Sequence, residues 1–445
     1  MALSLAPAPA AERLRVATFN VLLAQNPQGQ LAVTLNNPNA TNPRRIAEII
    51  QRVAPDVILL NEFDYDAAGL AADRFQANFL SVGQNGQAPI DFPYRFLAPS
   101  NTGEHSGYDL DNNGVTDSTV GDAGYAGDAF GFGEFPGKFG MLVLSKYPIV
   151  SDRARTFRLL RWKDMPGARI PPGYYSPEEL EVFRVSSKSH WDVPIDVDGT
   201  LVHLLAHHPT PPIFDGPEDR NGRRNHDEIR LWADYLSVDT GGYIVDDAGT
   251  PGGLVPGERF VIVGDHNADP TRGDSLDFAI NQLLLHPAVN ADFIPRRTGM
   301  PVGPNSDLTA DFAGQDLRVD YVLPSRAGFS ILGGAVFWPA AGEPGAALIS
   351  ASDHRLVYLD LEIEPITGRA EDLGIERENG VVALTWRYEQ GVVYSVENSP
   401  RLVAGSWEEV EGIAIIVDAE AGTASATIVD PAMRAHFFRV ISRPE

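Results

Sequence analysis

Residues Val261–Pro270 read VIVGDHNADP. Three β-branched apolar residues run into a glycine; an acid, an imidazole, an amide, an alanine, a second acid and a proline follow. The apolar run has the composition of a strand buried on both faces. The polar run begins where such a strand leaves its sheet, a place where side chains converge on a ligand. The same arrangement recurs. LRVATFN ends at Asn20 and VILLNEFD at Glu62. LVHLLAHHPTPP passes through His207 and His208, RVDYVLP carries Asp320, and SASDHRLV places Asp353 and His354 just ahead of an apolar run. Strand ends that carry N, E, H, D-x-N, D and D-H form a constellation.

Outward from these ends the chain alternates strands with helices. GMLVLSKYPI, TLVHLLAHH, LRVDYVLP and HRLVYLDLEI have strand character. PRRIAEIIQRV spaces its apolar residues by three and four, as an amphipathic helix does, and RRNHDEIRLWADYL is a second such helix. This order predicts an α/β sandwich with sheets inside and helices outside. A Gly/Asp/Asn-rich segment at 92–140 is too long for an ordinary connection and is read as a functional insertion. Near Ile363 the pattern changes, and only strands and turns follow. The expected organisation is a leader or signal remnant at 1–13, a catalytic domain at 14–365 and a small all-β sandwich at 372–445.

Composition bounds the function. The chain has 445 residues, enough for two or three domains. Its net charge of −25 repels polyanions and leaves no basic footprint for tight nucleic-acid binding. It has no cysteine, which removes disulfides, thiolate catalysis and cysteine zinc sites. No apolar run approaches the roughly 20 residues of a membrane span. The Ala/Pro-rich start resembles the tail of a secretory signal. The chain is therefore expected to be secreted, extracellular or periplasmic; a leader on a cytosolic protein is the rival reading. No protein partner is expected.

The stretches TFN, NEFD, AHHP, GDHNADP, RVDYVL and SDHR, in this order over Leu14–Leu361, resemble the endonuclease/exonuclease/phosphatase superfamily. Its members include deoxyribonucleases, sphingomyelinases and inositol-phosphate phosphatases. The resemblance implies a four-layer α/β sandwich, in which two packed sheets are flanked by helices. It also implies divalent-metal-dependent phosphoester hydrolysis. Asn20, Glu62 and Asp353 look like the ligands of Mg²⁺, with Mn²⁺ or Ca²⁺ as alternatives, since hard oxygens suit hard cations. Asp265 resembles the residue that orients or deprotonates the attacking water, and Asn267 the donor to the phosphoryl oxygen. His354, oriented by Asp320, would stabilise the transition state or act as acid or base. His208 looks like the second histidine; His207 is its rival, because alternation points the two in opposite directions.

Further residues depart from the family pattern or add to it. His266 stands where an apolar residue is usual; it is read as pointing away, with a ligand role as the alternative. Asp64, Asp66 and Asp269 either hold a second metal or are solvated. Lys188 and His190 in SSKSHW, and Arg224 after the HPTPP turn, are expected to contact substrate, since a −25 protein has few cations to offer a phosphate. DLDNNGVTD places Asp109, Asp111, Asn113 and Asp117 at calcium-loop spacing, but position twelve is Val120. A structural Ca²⁺ is the expectation there, and Asx turns are the alternative. The favoured substrate is a small phosphomonoester or diester. An extracellular nuclease and a phytase-like inositol phosphate phosphatase are the alternatives. A non-catalytic surface-binding protein is the reading from another class.

Overall fold

The computed structural model describes residues 13–364 without a break and, beyond them, strand segments lying between 374 and 444. Residues 1–12, where the leader was expected, and the 365–373 boundary lie outside the described residues. The chain divides into two compact units, Arg13–Glu362 and a second that comprises Ile363–Glu445.

The larger unit holds two mixed sheets. In the seven-stranded sheet the strands Met141–Ser145, Val57–Asn61, Arg13–Asn20 and Val357–Ile363 lie side by side. The five-stranded sheet runs Asp320–Pro324, Phe260–Asp265, Thr200–His207, His190–Val197 and Arg155–Thr156. Period-two alternation explains the layering. Ile58 and Leu60 join the apolar core beneath the helix Thr41–Val53, while Val57 and Leu59 are buried on the opposite face. Phe260 and Ile262 join the core beneath the helix Arg220–Tyr235, while Val261 and Val263 point the other way. Those opposite faces meet where Arg13–Asn20 packs against Phe260–Asp265. The expected four-layer α/β sandwich is thus present.

Local chemistry fixes the helices. Thr41–Val53 buries Ile46, Ile49, Ile50 and Val53 along one stripe. It stops at Ala54, in the left-handed region at φ 52°, because Pro55 disfavours helical backbone before it. Arg220–Tyr235 buries Ile229, Trp232 and Tyr235 toward its C-terminal end, and Arg224, Asn225 and Glu228 ahead of them. Buried polar residues on a packed helix need partners, and these are found at the site.

The expected strand LRVDYVLP is shorter than its apolar pattern. Gln315–Leu317 pairs instead with Ala310–Phe312 as a hairpin. The Thr309 hydroxyl oxygen accepts the N–H groups of Val319 and Asp320, so the central strand begins at Asp320. In the second unit, two sheets share a core of Leu384, Trp386, Val396, Ile428 and Val440. This is a small all-β module.

Candidate active site

Strand register assembles the site. Asn20 sits opposite Asn61 in a parallel pair, and Asp265 opposite Asp320 in an antiparallel pair. His208 follows directly on a strand parallel to Phe260–Asp265. The buried Asn61 stitches the sheets: its Oδ1 accepts the Asp265 N–H at 3.2 Å. Glu62 and Asn267 leave their strands at φ 58° and 52°. Asn tolerates that conformation, whereas Glu adopts it rarely. Both line one cleft of about 780 Å³ with Asp265, His208, Asp353 and His354.

Asp265 is the hub. Its Oδ2 lies 3.4 Å from His208 Nε2 and 3.5 Å from His354 Nε2, and accepts Asn20 Nδ2–H at 3.1 Å. Its Oδ1 accepts the Asn267 N–H at 2.9 Å. Burial opposes its ionisation, but His354, His208 and the Asn267 N–H outweigh burial and hold the carboxyl well below the usual carboxylate range. His354 is itself buried, which disfavours its charge. Asp320, whose oxygens lie 3.0 and 3.1 Å from His354 Nδ1, together with Asp265, reverses this and raises the imidazole to about 10. His208 moves the other way: burial and the nearby Lys188 charge lower it, so it is neutral at pH 7. One imidazolium, one imidazole and one carboxylate therefore converge on a single point.

The residues present fit a divalent cation. Asp265 presents its carboxylate at the cleft floor. Glu62 and Asp353 add carboxylates at the same cleft. A mostly oxygen donor set suits Mg²⁺, Mn²⁺ or Ca²⁺.

The family model described as Endonuclease/Exonuclease/phosphatase family matches residues 17–354. The chain belongs to that family. Endonuclease/exonuclease/phosphatase proteins are phosphoester hydrolases, mostly metal-dependent. Among solved structures, an endonuclease/exonuclease/phosphatase from Beutenbergia cavernae is 18% identical with TM-score 0.42, covering 97% of this chain and 99% of that one. Sphingomyelinase C from Streptomyces griseocarneus is 17% identical with TM-score 0.41, covering 78% and 99%. TDP2 from Caenorhabditis elegans is 12% identical with TM-score 0.38, covering 79% and 74%. A comparison with curated proteins finds no match.

The expected residues of this endonuclease/exonuclease/phosphatase site have different surroundings. Asn20, expected as a metal ligand, accepts the Leu22 N–H at its Oδ1, and its Nδ2 donates to Glu62 at 3.0 Å as well as to Asp265. It ties two carboxylates together. His190 was expected at the substrate. It is fully buried, with Nδ1 2.7 Å from the Ser186 hydroxyl and Nε2 2.8 Å from the Glu228 carbonyl. Its strand starts at His190 itself, so the phase of alternation could not be set from Lys188. Arg224 was also expected at the substrate. Its guanidinium touches the cleft wall but donates to the backbone carbonyls of Phe130, Arg184 and Val185. Lys188, by contrast, lines the cleft and is 6% exposed.

His266 points away from the centre, its Nδ1 on the Gly264 carbonyl and its ring against His207 and Tyr321. His207 packs into the same buried layer beside His190, leaving His208 at the cleft. Asp64, Asp66 and Asp269 do not gather as a second metal site. Asp64 accepts N–H groups from Gln25 and Phe139, Asp66 from Leu70 and Ala71, and Asp269 from Thr271 and Arg318.

In the insertion, the clustered carboxylates are Asp109, Asp111 and Asp128. Of the expected set, Asp109 and Asp111 are in that cluster and both accept the Asn113 N–H, and Asn113 Oδ1 accepts the Val115 N–H, as in Asx turns. The Asn113 and Asp117 side chains both lie against Gly124, and the Asp117 N–H donates to Asp128. Asp128 lies beyond any twelve-residue loop, which is why spacing did not find it. The insertion does form a wall of the cleft, through Leu110, Ala126, Ala129 and Phe132.

Proposed function

We propose that the chain is a secreted, divalent-metal-dependent phosphoester hydrolase that acts on small phosphomonoesters or diesters bearing an apolar group. The observation that carries this reading is the meeting of Asp265, His208 and His354 at the floor of a cleft with mainly apolar walls. The Ala/Pro-rich start supports secretion.

A bound cation would be held by Glu62 and Asp353 beside Asp265, and would supply neutralisation of phosphoryl charge. The chain's own groups do the rest. Asp265, fixed by Asn20 and Asn267, orients a water and takes its proton. His354, kept cationic by Asp320, donates to the charge that develops on the phosphoryl oxygens. Asn267 and Lys188 add donors, and neutral His208 holds Asp265 in place. A phosphate fills a small part of the cleft. Tyr175, Phe183, Phe132, Ile213 and Phe214 offer the remainder to an apolar substituent. Phe214 is 81% exposed at the rim, so that wall continues to the mouth.

The test is a series of p-nitrophenyl alkyl phosphodiesters from methyl to octyl, with p-nitrophenyl phosphate and plasmid DNA, each with Mg²⁺ and with EDTA. Turnover should need the metal, and kcat/KM should rise about tenfold or more along the series as methylenes are buried. A flat series with DNA preferred would support the nuclease alternative, and total inactivity the non-catalytic one.

A further inference from the structure

We propose that Glu228 is a positioning residue. Its carboxylate locks the Ser187–Lys188 wall to the Pro209–Thr210 turn and so sets the spacing of Lys188 and His208 across the cleft.

Glu228 is 1% exposed and lies at the middle of the helix Arg220–Tyr235. Among the described residues it makes no ion pair. Its Oε1 accepts the Ser187 N–H at 2.6 Å and the Ser187 O–H at 2.9 Å. Its Oε2 accepts the Thr210 N–H at 2.6 Å. Three short hydrogen bonds thus satisfy both carboxylate oxygens at this depth. Both bonded segments face the cleft, since Ser187, Lys188, His208 and Thr210 all line it.

Asn225 on the same helix and Asn267 beyond the strand Phe260–Asp265 complete the grip. Asn225 Nδ2 donates to the carbonyls of Thr210 and His266, both at 2.9 Å. Asn267 Nδ2 donates to the Pro209 carbonyl at 3.1 Å. The turn after His208 is thus held at three points, of which Glu228 alone reaches across to the Lys188 side. Lys188 follows Ser187 directly, and its buried ammonium has no hydrogen-bond partner among the described residues. Burial lowers the Lys188 ammonium below its ordinary value, and Glu228 is foremost among the carboxylates that oppose that shift. An amine without a hydrogen-bond partner at a cleft wall is placed to meet an anionic ligand.

The effect on catalysis rests on the hydrolase reading above; the effect on the two segments rests on geometry alone. The full-length Glu228→Gln and Ser187→Ala variants are compared with wild type in two ways. In amide hydrogen exchange, peptides spanning 184–189 and 207–212 should exchange about tenfold faster in Glu228→Gln, with other peptides unchanged. Equal exchange in both segments overturns the proposal. In Mg²⁺-supported hydrolysis of bis-p-nitrophenyl phosphate, Glu228→Gln should raise KM about tenfold and change kcat less than about threefold. In a Lys188→Ala background the same substitution should add almost nothing to KM. A fall in kcat with KM unchanged, or fully additive losses, overturns it. Ser187→Ala should move each readout the same way by less, and it decides the matter if Glu228→Gln does not fold. Failure of wild type to hydrolyse any phosphoester would instead sink the hydrolase reading, and hydrogen exchange would still decide the role of Glu228.

Discussion

A carboxylate as buried as Asp265 stays ionised only because donors reach it from several sides: Asn20, Asn267, His208 and His354. The positive member of that set depends on Asp320. Replacing Asp320 with Asn should lower kcat/KM by about 10²-fold or more, the scale of a lost acid–base group. It should also shift the pH profile with a definite sign. His354 lies above its ordinary value, so its cationic form persists until pH rises through about 10. Without Asp320 that loss comes at lower pH, and the alkaline limb of kcat/KM moves down; a limb that stays in place contradicts the role. Most of this set was legible in sequence, because polar residues interrupt apolar runs at Asp265, Glu62 and Asp353–His354. Asn61, Glu228 and Asp128 were not legible. Asn61 looks like the end of an apolar run, Glu228 like one charge among many on a helix, and Asp128 joins its cluster only through a folded loop.

Among the elements, the layer between the five-stranded sheet and its helix is chemically unusual. His190, His207 and His266 stack there beside Trp232, where an apolar core is the rule. Burial above all lowers each of them, His190 and His266 to about 4. Groups held neutral in this way contribute stability above their unfolded value near 6.5, and that stability is lost as pH falls toward 4. Thermal melting should therefore fall steeply between pH 6.5 and 4, and His190→Phe should flatten part of the slope, on the order of 3 kcal/mol per group. Equal slopes in wild type and variant contradict this. The histidines were visible in the sequence, but their destination depended on strand phase: TLVHLLAHH fixes it by alternation, whereas SSKSHW does not. The cleft rim makes a second prediction at this scale. Phe214→Ser should leave turnover of the methyl ester near wild type and reduce that of the octyl ester severalfold; equal effects on both would remove Phe214 from the substituent's path.

Across the whole molecule, charge and modularity set the remaining expectations. With a net charge of −25, association with DNA is repulsive, so cleavage of plasmid DNA should rise with salt rather than fall. A falling salt dependence would point to a nucleic-acid groove. Every residue assigned to the site lies within Arg13–Glu362, so a chain ending at Glu364 should keep its metal-dependent turnover. The four-layer arrangement was legible because strands and helices alternate with clear periods. The hairpin at Ala310–Leu317 was not, because its strands are three residues long and set by the Thr309 hydroxyl rather than by an apolar pattern. The most direct measurement is hydrolysis of bis-p-nitrophenyl phosphate by wild type and by Asp265→Asn, with Mg²⁺ and with EDTA. Turnover that vanishes with EDTA and falls at least about 10²-fold in the variant is the expected result. Equal turnover in both proteins, or turnover indifferent to EDTA, would contradict the central claim.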